Sequence, residues 1–110
     1  MAALTKEYQE NIQKIQVAEQ SMQNFLSQRQ QLQQQLSEID TALSEMKTST
    51  KTFRIIGSIM VETDKEKLTK DLSGKKEFVE LRIKNIEKQE DKLKEKMKSL
   101  QEELMKEMGA

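Results

Sequence analysis

Cysteine and histidine are both missing from this chain, and much chemistry goes with them. Disulfides, thiol catalysis, the common metal sites and the usual nucleophile–histidine pairs are all unavailable. The few glycines, among them Gly57 and Gly74, lie in no phosphate-cradling loop of the G-x-x-x-x-G-K-[ST] kind. No apolar run approaches the roughly 20 residues of a membrane span. The start, Met1-Ala2-Ala3-Leu4-Thr5-Lys6, lacks the apolar core of a signal peptide. Net charge is zero: residues 1–50 carry four basic and six acidic side chains, residues 51–110 fifteen and thirteen. No basic stripe is left over to neutralise a phosphate backbone. Carboxylate neighbours such as Glu90-Asp91 and Glu102-Glu103 read as solvated helix faces. The expectation is a soluble cytoplasmic protein without catalytic residues, cofactor or metal, and without a nucleic-acid or membrane partner.

What is present is periodic. Hydrophobic and charged residues each make up 35% of the chain, a balance closer to a coiled coil than to a thick-cored globule. In a first arm, Leu4, Tyr8, Asn11, Ile15, Ala18, Met22, Phe25, Arg29, Leu32, Leu36, Ile39, Leu43 and Met46 recur at alternating steps of four and three. In a second, Leu72, Lys76, Val79, Ile83, Ile86, Glu90, Leu93, Met97, Leu100, Leu104 and Glu107 do the same. A period of about 3.5 keeps one seam facing a partner helix, so each arm calls for a coiled-coil neighbour. Gln-rich residues 28–36 read as a neutral solvated face around that seam. At 1.5 Å per residue the first arm is roughly 65 Å long, a lever with almost no interior.

Between the arms the period breaks. Lys47-Thr48-Ser49-Thr50-Lys51-Thr52 weakens a helix through β-branched and hydroxyl side chains that compete for backbone hydrogen bonds. Phe53, Ile55, Ile59 and Val61 are strand formers around Gly57-Ser58, which suits a two-residue type II′ turn with glycine first. Ile55, Ile56, Ile59, Met60 and Val61 make nearly every position apolar, so both faces of this hairpin call for burial. A lone two-stranded hairpin is marginal in water, and one chain offers nothing to cover both faces. Hairpins from several subunits are therefore expected to merge into a shared sheet or barrel, with Phe53, Ile55, Ile56, Gly57, Ile59, Met60 and Val61 as the assembly element. Thr63 with Glu66 fits a capping box that restarts the helix, and Asp64 adds negative charge at its positive end. The fold expected is mainly α: one domain over residues 1–110, an antiparallel two-helix coiled coil. Its parts are an N-terminal helix over 1–47, a β-hairpin over 52–62 and a C-terminal helix over 63–108.

The two arms check each other. Folding back at Gly57-Ser58 makes facing residues sum to about 118 or 119, the register of an antiparallel seam. Ile15 then faces Leu104, Met22 faces Met97, Leu36 faces Ile83, and Ile39 lies by Val79. Arg29 falls opposite Glu90, either as a seam ion pair that fixes register or as two side chains that snorkel outward separately. Off the seam, Phe78 and Leu81 are expected to pack at the hairpin base. Ile12, Met105 and Met108 widen the apolar surface beside the chain ends, and exposed methionines adapt to many partners. Gly74 interrupts the second arm at a cost of about 1 kcal/mol relative to alanine, either to allow close packing or as a tolerated flaw.

This order of parts resembles the prefoldin family, and specifically its β-type subunit in an archaeal form. The resemblance rests on the hairpin Phe53-Arg54-Ile55-Ile56-Gly57-Ser58-Ile59-Met60-Val61, on Asp64-Lys65-Glu66-Lys67-Leu68, on Lys75-Lys76-Glu77, and on the run from Glu80 to Glu90. The first arm is similar only in pattern, and Gly74 in the second arm departs from the family's long uninterrupted helix. The resemblance implies an ATP-independent co-chaperone: a heterohexamer of two α-type and four β-type subunits whose hairpins form a barrel hub. Its coiled-coil tips would hold unfolded or nascent proteins and pass them to a group II chaperonin. On the register above, the tip of this chain gathers Leu4, Tyr8, Ile12, Leu104, Met105 and Met108. A structural adaptor that binds one folded partner is the alternative, although it would not need a doubly apolar hairpin.

Overall fold

In a computed structural model, which describes residues 5–109, helix α1 spans Lys6–Met46, strands β1 and β2 span Thr52–Ile56 and Ile59–Thr63, and helix α2 spans Lys65–Gly109. The two strands form one antiparallel hairpin in which Thr52 pairs with Thr63 and Ile56 with Ile59. By packing, the described residues divide into two compact units, residues 30–84 around the hairpin and residues 5–29 with 85–109.

Each element begins and ends for local reasons. Thr5 caps α1: its hydroxyl accepts from the Tyr8 backbone N–H at 3.0 Å and its carbonyl from that of Gln9 at 3.1 Å. After Met46 the Thr48 and Ser49 hydroxyls donate back to the Glu45 carbonyl at 3.4 and 2.9 Å, taking up an acceptor that the ending helix leaves free. The first residue of α2 completes that exit, because Lys65 Nζ donates to the carbonyls of Ser49 at 3.0 Å and Lys47 at 3.4 Å. Thr63 does not cap α2 as the capping-box reading had it. It is the last strand residue, and its carbonyl accepts from the buried Thr52 hydroxyl at 2.8 Å. Asp64 stands at the cap position instead, with its carbonyl taking the Leu68 N–H at 2.9 Å. Strand pairing had the stronger claim on Thr63.

Gly57 has φ of +61°, and no described non-glycine residue has positive φ. Positive φ at the first turn position alone is the type II′ pattern; type I′ requires it at both.

In the hairpin unit, Leu32, Ile39, Met46, Leu68, Val79 and Ile83 are buried, all on the seam and its continuation to Leu68. Thr52 is the buried polar residue here. Lys76 Nζ lies 2.8 Å from Asp40 Oδ1, and this hydrogen bond and charge raise the lysine above its ordinary pKa. A raised lysine contributes stability below its unfolded value, and the contribution is lost as pH climbs through the folded one. The pair is exposed, so the effect is small. In the other unit Ala18, Ile86 and Leu100 are buried, together with Asn11 and Glu90.

One expectation from the sequence fails within the single chain, and of the two readings left open for Gly74, close packing finds no partner there. Phe78 and Leu81 do not pack at the hairpin base; they stay 60% and 57% exposed. Gly74 has no close neighbour either, since a Cβ built there would meet nothing within 4 Å. Gly74→Ala should therefore raise the stability of the isolated chain by about 0.5–1 kcal/mol through backbone entropy. Denaturant titrations followed by circular dichroism would measure this, and a loss of stability would show a contact that the open space around Gly74 does not contain.

Candidate functional site

The unit made of residues 5–29 and 85–109 is a pair of helix segments laced by two polar contacts at seam positions. Arg29 Nε donates to Glu90 Oε1 at 2.8 Å and its Nη2 to Glu90 Oε2 at 3.4 Å, a two-pronged ion pair. The Glu90 side chain is only 8% exposed and that of Arg29 27%. A carboxylate so enclosed is tolerable because it is paired, and removing its partner would leave a buried charge alone. The snorkelling alternative does not describe this geometry. Further along, the buried Asn11 donates through Nδ2 to Glu107 Oε1 at 3.2 Å, while Glu107 Oε2 is enclosed without a protein partner. Residue sums of 119 and 118 for the two contacts match the antiparallel register. The Asn11 contact was reachable from the sequence, because both residues sit on the seam and satisfy the same sum. Met22 and Met97 line one groove beside the ion pair, with Leu26.

The Asn11–Glu107 bond brings the segment of Tyr8 and Ile12 alongside that of Leu104, Met105 and Met108. Tyr8, Ile12 and Leu104 are half-buried. Met105 and Met108 stand 71% and 67% exposed. Leu4, the remaining member of the expected set, lies outside the described residues. Val17 and Leu26 add apolar surface higher on α1. What the arrangement offers is a patch of flexible thioether and aliphatic groups, suited to apolar side chains of varied shape.

The hairpin forms the second candidate surface. Phe53, Ile55, Ile56, Ile59, Met60 and Val61 are all exposed in the single chain. Strand alternation puts Phe53, Ile55 and Met60 on one face and Arg54, Ile56, Ile59 and Val61 on the other. Arg54 reaches Asp71 of α2 at 2.8 Å, which ties the hairpin to the start of that helix. Among the described residues no cluster of histidine, cysteine or carboxylate side chains could hold a metal ion, and no helix is long and apolar enough to cross a membrane.

Comparison with known proteins agrees with this layout. A family model described as "Prefoldin subunit" matches residues 9–110. Prefoldin subunit beta of Archaeoglobus fulgidus is 33% identical over 107 residues, covering 94% of this chain and 92% of that protein. Prefoldin subunit beta of Thermococcus onnurineus is 35% identical over 89 residues, 78% of this chain and 77% of its own length. Among solved structures, the crystal structure of the prefoldin beta subunit from Thermococcus strain KS-1 superimposes with a TM-score of 0.88 at 28% identity, over 96% of each chain.

The ion pair lends itself to a double-mutant cycle. Arg29→Leu and Glu90→Leu should each cost more stability than the double change, with a coupling of about 1–3 kcal/mol. Strict additivity in chemical denaturation would mean that the two charges do not depend on each other.

Proposed function

This chain belongs to the prefoldin family as a β-type subunit, and from that membership we propose that it works in the cytoplasm as one arm of an ATP-independent co-chaperone. In this reading it assembles through its hairpin with α-type subunits and further β-type copies, two α and four β in all. It holds unfolded or nascent proteins at its tip and passes them to a group II chaperonin. The observation that carries the client-holding part is the exposure of Met105 and Met108 beside half-buried Tyr8, Ile12 and Leu104. The same apolar groups on a folded-protein adaptor would be expected to lie under a complementary surface; here they form a small adaptable patch.

One such patch holds an extended chain weakly. Several patches acting on one client add avidity of roughly 10²–10⁴ without new kinds of contact, provided that they can reach it together. Release then needs no nucleotide, because each contact opens on its own. The hairpin supports assembly through the same bookkeeping of apolar surface: six large side chains exposed on a two-stranded sheet are stable in water only when covered.

Two sets of variants test the reading. Ile12→Ser, Met105→Ser and Met108→Ser together should abolish suppression of aggregation of a denatured client while leaving native mass unchanged. Full protection by an assembled triple variant would move the binding surface elsewhere along the arms. Ile55→Asp with Ile59→Asp places charge on both hairpin faces and should dissolve the assembly while the helices persist. An intact complex on sizing would overturn the hub.

A further inference from the structure

We propose that the Gly74–Phe78–Leu81 stripe of α2 receives the outward face of the β-hairpin of a second copy of this chain. The inference rests on the hub reading and names a contact that a barrel alone does not supply. Side chains on barrel strands alternate between inside and outside, so closing a barrel covers only one of the two apolar faces. Arg54 distinguishes them. A guanidinium inside a small barrel would be a buried charge, and here it reaches out to Asp71 of its own α2 at 2.8 Å. The face shared by Arg54, Ile56, Ile59 and Val61 is therefore the outward one, and it still needs cover.

Among the described residues of the hairpin unit, the exposed large apolar side chains beyond the hairpin are Phe78 and Leu81. They lie four and seven residues after Gly74, on one face of α2, and Asp71 lies three before it. The stripe thus starts where the hairpin is already moored by Arg54 and runs away from it along the helix. Arg82 leans over the Phe78 ring at 5.9 Å, yet the ring remains 60% exposed. Gly74 is otherwise costly: it weakens the helix and no group of its own chain fills the space a Cβ would take. A strand of a neighbouring copy approaching at Gly74, with its aliphatic side chains against Phe78 and Leu81, accounts for both the glycine and the exposed pair. A helix stripe and a sheet face that each lack cover can cover one another, and two copies can exchange them reciprocally about a twofold axis.

The full chain mixed with a cysteine-free α-type prefoldin subunit provides the test, read by native mass spectrometry on dilution. Phe78→Ser with Leu81→Ser, and separately Gly74→Leu, should raise the concentration for half-dissociation by about tenfold or more, each tenfold being about 1.4 kcal/mol. Helicity of the unassembled chain should not fall, because Phe78 and Leu81 are mostly exposed within it and the space for a Cβ at Gly74 is open. Phe78→Leu should assemble like the native chain. The native sequence has no cysteine, so copies with Ile59→Cys and copies with Leu81→Cys should form a disulfide-linked heterodimer on oxidation inside the complex. Native-like assembly of both disruptive variants, or no cross-link in an intact complex, overturns the stripe. If Ile55→Asp with Ile59→Asp also leaves assembly intact, the hub reading has failed; if it disrupts assembly while the stripe variants do not, only the stripe has.

Discussion

Two helices lying side by side can each bury one stripe and no more, and this geometric limit governs the molecule. Among the described residues, every buried apolar side chain of the helices lies on the seam or its continuation, and none is completely enclosed. A globular protein concentrates its stability in a centre where many layers meet; here it is spread thinly along the seam. With so little interior, two polar contacts carry unusual weight. Arg29–Glu90 and Asn11–Glu107 contribute little net burial energy, yet shifting one helix by a turn would strand each of them against apolar neighbours. They oppose sliding, which a uniform leucine seam would tolerate.

Much of this was written openly in the sequence because it is local or periodic. The seam follows from the four-three spacing, and the turn from a glycine flanked by strand formers. The Arg29–Glu90 contact follows from arithmetic, since a single turn fixes which residues face each other. Chain-reversal arithmetic also contained Asn11–Glu107, which a search for apolar partners passes over. Other features depend on competition that no spacing reveals. Thr63 had two possible employments, cap or strand end, and the Thr52 hydroxyl decides between them. Lys65 reads as an exposed helix-start lysine until its ammonium is seen on the carbonyls of Ser49 and Lys47. Phe78 and Leu81 were misjudged because residue type reports a need for cover without saying whose surface provides it.

Apolar surface is thus divided by purpose in this chain. The seam satisfies itself within the molecule. Apart from Met60 the hairpin's apolar side chains are β-branched or aromatic, and Phe78 in the stripe is aromatic, features that favour one well-fitted neighbour. Met105 and Met108 are unbranched and mobile, features that favour many loosely fitted ones. On the proposed function, the same hydrophobic effect would support permanent contacts at the hairpin and transient ones at the tip, with side-chain stiffness separating them.

Because the turn sits in mid-chain, the contacts are nested around it, and their sequence separations grow in order: 11 residues for Thr52–Thr63, 16 for Lys65–Ser49, 61 for Arg29–Glu90 and 96 for Asn11–Glu107. Closing the widest of these loops at once would demand a long chain search. Closing them in order shortens each successive loop to the residues between one contact and the next, and the entropy cost of closure falls with it. Gly57, exposed and with open space where a Cβ would stand, then occupies the position of a zipper's slider: its backbone freedom bears on how quickly the arms find each other as well as on the hairpin it turns.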